Sequence, residues 1–424
     1  MNQSLSGVAL WNGSRFDGIR RLEWNTAGAD GTITAITSEP GTSPEPGASP
    51  VDSGQGSGLG SATAPAEFSV IPGLIDTHVH LVGNAAATPA DFLTWPLTTR
   101  PEEQTLHALA HSLEAMRGGV TTVRDLAADD IQFSLRRAVD AGVVTGPRLI
   151  AHGVVNMTAG HSDLFIPPAF PLRKPVADGP DACRALVRHW ARAGTDGIKI
   201  PVSGGVLSVG DKSAWRNYTR AEIAAIVDEA HAFGMLVAAH AHTEAGIQIA
   251  LDEGIDSIEH GTLMTAEQAA AIASTRVTVA PTLLINERIA AGENGVSAEQ
   301  SAKAQELVVN RNRLMRDAAD LGVDFVLGTD ANGHHVKFGD QMEEVRLMAA
   351  LFGWTAERAL QAATSRAAAA IGRSSSVGTL ETGRPADFLV MRGTPWQNID
   401  DLHTGNIVAV VSRGRVVAGV LPRS

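Results

Sequence analysis

Cysteine and tyrosine each occur once in these 424 residues, and aromatic side chains make up only 4% of them. A single cysteine, Cys183, excludes an internal disulfide framework and suits a reducing cytoplasm. It lies in the helical pattern DACRALVRHWARAG, where a packed thiol is expected rather than a nucleophile. The chain also lacks GxSxG, so serine-nucleophile chemistry has no support. Apolar runs long enough to span a bilayer are missing, and MNQSLSGVALWNG lacks the basic start and apolar stretch of a signal peptide. Positive charge is in deficit, with 34 basic against 46 acidic residues and a net charge of −12. Nucleic acids and anionic membranes both reward basic patches, so neither is an expected partner. The expectation is a cytoplasmic protein acting on a small molecule, with room for a homo-oligomer.

What the chain does have is a large apolar content, 44%, arranged in a regular alternation. Both ends are β-rich. GVALWNG, RRLEW and GTITAIT open the chain, while VGTLETGRPADFLVM, NIVAVVSRG and RVVAGVL close it. The two ends are expected to pair into one small β-sandwich domain made of residues 1–69 and 374–424. Within the first part, the Gly/Pro/Ser-rich stretch from Ser38 to Glu67 cannot bury enough apolar surface to fold and predicts a flexible loop.

Residues 70–373 read as eight βα units. The strand candidates are FSVIPGLIDTHVH, GVTTVRDL, PRLIAHGV, GIKIPVS, MLVAAHA, IDSIEHG, VTVAPTLL and VDFVLGTD. Most are near-continuous apolar runs, as strands buried on both faces require. Capping-box spacing at Thr219/Glu222 and Thr265/Gln268 marks helix starts between them. Eight such units predict a (β/α)8 barrel of the TIM type.

In such a barrel the strand ends converge on one face, and here five of them carry a chemically useful residue. His78 and His80 end the first strand, two apart and therefore pointing the same way, which presents two imidazoles to one ion. Lys199 interrupts an apolar strand, where a free ammonium is costly. It is either paired with an acid or, with a lowered pKa, converted by carbon dioxide to a carbamate that can bridge two cations. His240 and His260 end consecutive strands and can hold a second ion. His242 follows at the same two-residue spacing, as a ligand, a substrate contact or a supporting histidine. Asp330 in GTDA is placed to be both ligand and proton shuttle. Imidazole and carboxylate donors suit zinc, with manganese, cobalt or nickel as other occupants.

The ordered run PGLIDTHVHL, GVTTVRDL, IKIPVSGG, VAAHAH, SIEHGT, GTDA and LETGRPADFLVM resembles the metal-dependent amidohydrolase superfamily over nearly the whole chain. IKIPVSGGVLS with VAAHAHTEAGIQIALDEGIDSIEHGT looks like its imidazolonepropionase-related branch, which includes Xaa-Pro dipeptidases and ochratoxin-type amidases. The resemblance implies two divalent ions. His78 and His80 would hold the first, His240 and His260 the second, N6-carboxylated Lys199 would bridge them, and Asp330 would complete the first shell. It implies C–N hydrolysis by a bridging hydroxide, on a small N-acyl amino acid, dipeptide or aryl amide. Carbamate or phenylurea hydrolysis is the alternative, with imidazolone-type ring opening behind it. A non-catalytic scaffold would lack ligands, and every ligand position is filled.

Specificity is expected from the loops beyond the strands. GGVLSVGDKSAWRNY carries Arg216 and Tyr218, the latter either a substrate contact or a staple at the helix start. His161 in MTAGHSDLF is a further candidate contact or a solvent-facing loop histidine. Where the branch usually shows histidine before glycine after GTDA, this chain has Phe338 before Gly339, with His334 and His335 earlier in NGHHVK. Either the loop is rebuilt for another substrate, or those histidines take over the role.

Overall fold

The computed structural model describes residues 2–38, 66–82, 94–164, 166–171 and 173–422. Nearly all of the expected flexible stretch from Ser38 to Glu67 lies outside them. The strands are β1 (Asn2–Trp11), β2 (Phe16–Asn25), β3 (Ile33–Ser38), β4 (Ser69–Pro72), β5 (Leu74–Val79), β6 (Val120–Ala128) and β7 (Arg148–Val154). They continue with β8 (Gly197–Pro201), β9 (Leu236–Ala241), β10 (Ser257–His260), β11 (Thr278–Ala280), β12 (Phe388–Met391), β13 (Ile407–Ser412) and β14 (Arg415–Gly419).

Strands β5 to β11 form a parallel sheet in chain order, with helices between them. Both predicted capping boxes are present, at Thr219 before helix 220–232 and at Thr265 before helix 266–273. The eighth segment departs from expectation. Residues 323–331 make only isolated parallel bridges, Val279 with Phe325 and Val79 with Ala331. They still close the barrel, because the Thr77 amide donates to Leu327 (2.9 Å), Val326 to Val279 (2.9 Å) and Asp330 to His78 (2.8 Å). Regular pairing fails for two physical reasons. The Leu327 amide is diverted to the Ala362 carbonyl at a helix end, 2.9 Å away, and Asp330 takes a left-handed φ of 58°.

The first predicted strand is in fact two. β4 belongs to the terminal sheet, parallel to β1 and antiparallel to β12, while β5 starts the barrel. The crossover is Gly73, where a Cβ would sit 2.2 Å from Thr121 Oγ1. Gly73 thus separates the last strand of the terminal sheet's first part from the first strand of the barrel.

The terminal sheet has the order β14-β13-β12-β4-β1-β2-β3, so both chain ends contribute. It folds over on itself. Trp24 on β2 and Phe388 on β12 are three strand positions apart, about 14 Å in a flat sheet. Yet their rings meet edge-to-face at 5.0 Å, and Trp24 Nε1 donates to the Gly414 carbonyl beyond β13 at 3.0 Å. Leu5, Leu10, Leu22, Val70, Val390 and Val411 fill the enclosed core. One sheet thereby supplies both layers of the terminal unit.

Candidate metal centre

At the C-terminal ends of the barrel strands, two groups of ligand atoms each converge within 4.8 Å: His78, His80 and Asp330, and His240, His242 and His260. In the first, His80 Nε2 lies 2.9 Å and His78 Nε2 3.5 Å from the same Asp330 Oδ1. Asp76 aligns this group. Its Oδ1 accepts the His78 and Thr329 amides at 3.1 Å each, and its Oδ2 accepts the Thr329 hydroxyl at 2.6 Å. The end of β5 is thus tied to the turn that carries Asp330. Burial raises the Asp330 carboxyl, but the neighbouring His78 and His80 outweigh it and hold it down near 2.

In the second group His240 Nδ1 faces His260 Nε2 at 2.9 Å. The other nitrogen of each ring is engaged, His240 Nε2 by the Gly204 carbonyl (3.2 Å) and His260 Nδ1 by Thr282 Oγ1 (2.7 Å). The facing pair are the atoms left for an ion. His242 stacks on His260 with centroids 4.4 Å apart, and its Nδ1 meets Thr262 Oγ1 at 2.8 Å. Burial, the largest influence on all three rings, pushes their pKa values down and keeps the imidazoles neutral, the form that ligates a metal.

Lys199 stands on β8. It is only 6% exposed, and among the described residues no carboxylate comes within ion-pair distance of its amine. Burial brings its pKa down to about 8, Arg124 adds to that, and Glu259 and Asp330 oppose it. It interacts electrostatically with His78 and Asp330 of the first group and with His240 and His260 of the second. The imidazoles, the Asp330 carboxylate and the buried amine form a donor set that fits divalent cations.

Three non-glycine residues here have positive φ: His260 at 76°, Thr282 at 47° and Asp330 at 58°. Such conformations each cost about 1–3 kcal/mol and persist where the surroundings over-determine them. At His260 the effect is specific. The kink lets consecutive residues Glu259 and His260 both face the barrel interior, since Glu259 reaches β5 and β6 while His260 reaches His240 and His78.

The other expected site residues separate into near and far. His161 is near, with its ring parallel to His240 at 4.4 Å and its Nδ1 3.1 Å from Ser208 Oγ and 3.6 Å from Asp211. His335 is buried and interacts with Asp330. His334 points away, with Nε2 2.9 Å from the Asn294 carbonyl. Arg216 is exposed and interacts with Glu222. Tyr218 is 1% exposed in the apolar core, and its hydroxyl donates to the Ala177 carbonyl at 3.4 Å. Phe338 is fully buried and stacks on His111 at 4.8 Å. Cys183 is also buried, its thiol pushed up to about 12, an inert core group.

Sequence reasoning missed Asp76, Arg124, Glu259, Thr282, Ser208 and Asp211. The signal available for three of them was a charged residue inside an apolar strand, in LIDTHV, VTTVRDL and SIEH.

The model of the Amidohydrolase family matches residues 69–417. An ochratoxinase of Aspergillus niger is 28% identical over 368 residues, covering 81% of this chain and 74% of that protein. An imidazolonepropionase of Deinococcus radiodurans is 27% identical over 378 residues, 81% of this chain and 82% of that one. A solved Xaa-Pro dipeptidase with bound methionine in its active site has a TM-score of 0.82 at 28% identity, covering 98% and 99% of the two chains.

Proposed function

Because the chain belongs to the amidohydrolase family, we propose that it is a two-metal hydrolase cleaving the C–N bond of a small amide: an N-acyl amino acid, a dipeptide or an aryl amide. What supports this reading is a buried Lys199 that, among the described residues, has no carboxylate at ion-pair distance and interacts electrostatically with both convergent ligand groups. His78, His80 and Asp330 would hold one ion, His240 and His260 the other, and carboxylated Lys199 would bridge them. Zinc suits these donors, and manganese, cobalt and nickel are alternatives. When bound, the ions supply Lewis acidity, polarising a carbonyl and lowering the pKa of water.

The protein's own groups do the rest. Asp330, held as carboxylate, accepts the proton of the attacking water and returns it to the departing nitrogen as the C–N bond breaks. His161, beside His240, His242, beside His260, and His335, which interacts with Asp330, would orient substrate. Phe338, where the sequence departs from the branch's usual histidine, is turned into the core against His111. It therefore gives the carbamate and phenylurea reading no support of its own.

The test is a hydrolysis panel of N-acyl amino acids, dipeptides, carbamates and phenylureas, using protein loaded with zinc, cobalt or manganese in bicarbonate. Turnover of the amides is expected. Protein that retains no divalent ion and turns over no member of the panel would overturn the proposal.

A further inference from the structure

Beneath the first ligand group lies a pair of charged residues with no solvent contact. Arg124 on β6 is 1% exposed and Glu259 on β10 is fully buried. Isolated charges at such depth are prohibitively costly, so they are retained only when paired and hydrogen-bonded. Arg124 is so satisfied: Nε donates to the Thr77 carbonyl (2.6 Å), one terminal nitrogen to Ser257 Oγ (3.1 Å) and the other to Glu259 Oε1 (2.7 Å). Ser257 Oγ adds a bond to the same Oε1 at 2.8 Å. The second carboxylate oxygen, Oε2, lies 2.9 Å from His78 Nδ1 but off the line of a hydrogen bond, and among the described residues neither atom has a hydrogen-bond partner elsewhere. On the far side of that ring, Nε2 faces Asp330.

We infer that Arg124 and Glu259 are positioning residues for metal binding, acting through His78. A carboxylate can only accept, so two otherwise unpartnered buried atoms 2.9 Å apart favour a proton on Nδ1, which leaves the Nε2 lone pair toward the ion. Arg124 does two things. Its bonds to Glu259 and Ser257 hold the carboxylate in place, and its bond to Thr77 fixes the backbone one residue before His78. The kink at His260 makes the arrangement available, because it brings Glu259 and the ligand after it to the same side. The relay belongs to one ion position only. The second group is oriented by Gly204 and Thr282 instead.

This inference rests on the two-metal reading, and the readouts keep the two apart. Chelator-competition titration with zinc should give two ions for the native chain. In Glu259→Gln one of them should weaken by about 10- to 100-fold while the other is unchanged, the usual cost of losing an outer partner of a ligating histidine. Arg124→Met/Glu259→Leu removes both charges together, which a fold tolerates better than losing one. It should show the same selective loss. Two wild-type affinities in either variant would overturn the relay, as would equal weakening of both ions.

A measurement on the native metal-free chain needs no variant. Nitrogen-15 histidine spectra should report His78 as the Nδ1–H tautomer, and an Nε2–H tautomer would overturn the inference. Failure of the native chain to bind zinc would instead sink the metal reading, and leave the tautomer to decide the relay.

Discussion

Lys199 is the residue on which most depends. An ordinary lysine amine is almost wholly protonated at neutral pH, whereas burial brings this one down to about 8, so a reactive neutral fraction exists. That fraction rises with pH, so uptake of 13C-bicarbonate into a carbamate signal should increase from pH 7 toward pH 8 in the metal-free chain. Lys199→Ala should lose both that signal and metal retention, with partial recovery on adding small carboxylic acids. Full metal content in the variant, read by elemental analysis, would show that Lys199 is not a ligand. Tyr218 invites the opposite expectation. Its hydroxyl is spent on the Ala177 carbonyl inside the core, so Tyr218→Phe should cost about 1 kcal/mol of stability and leave KM for carboxylate-bearing substrates unchanged. A raised KM for those substrates, with their esters or amides spared, would return Tyr218 to the substrate pocket. The histidines and Lys199 were legible because strand-end position and two-residue spacing are local properties. Glu259 and Arg124 were not, because what gives them meaning is a partner 135 positions away in the chain.

At the scale of elements, two glycines set where strands and loops can go. Gly73 divides one apolar run between two sheets. A Cβ there would meet Thr121 at 2.2 Å, so Gly73→Ala should destabilise the chain by about 1–3 kcal/mol in denaturant titrations without changing metal stoichiometry. Gly205, in the loop after β8, is nearer the chemistry. A Cβ there would fall 1.9 Å from His161 Cε1, so Gly205→Ala must push His161 off the face of His240. Turnover should fall at least tenfold with both ions retained. Unchanged kinetics would mean that His161 has no part in the reaction. Helix starts, from Thr219 and Thr265, were readable because a cap is a contact over three residues. The splitting of FSVIPGLIDTHVH and the irregular eighth segment were not, since apolar periodicity does not say which sheet receives a strand.

Over the whole molecule, the terminal sheet is fastened to the barrel by charge as well as by apolar packing. Arg148, at the start of β7, pairs with Asp30 at 2.8 Å and Asp387 at 2.9 Å, and Arg413 pairs with Asp30 at 2.9 Å and Asp140 at 2.7 Å. Burial raises the Asp30 carboxyl, but the two guanidinium groups outweigh it and leave it below the usual value of 3.8. A depressed folded pKa contributes stability that is present above the unfolded value and lost as pH falls through the folded one. Asp30→Asn should therefore lower Tm at neutral pH, and the difference should shrink as pH falls below 3.8. A gap that persists undiminished in acid would rule out this ionic contribution. The amino-acid order by itself determined the barrel's repeating units, the β-rich ends and the histidines and acid at the strand ends, since periodicity, caps and spacing act over a few residues. Only the tertiary structure decided that Tyr218 and Phe338 turn into the core, that one terminal sheet folds over to enclose its own, and that Arg124 and Glu259 meet under His78. Those outcomes depend on which distant surfaces must be buried together, and a burial requirement of that kind is a property of the closed barrel, with no signature in local sequence.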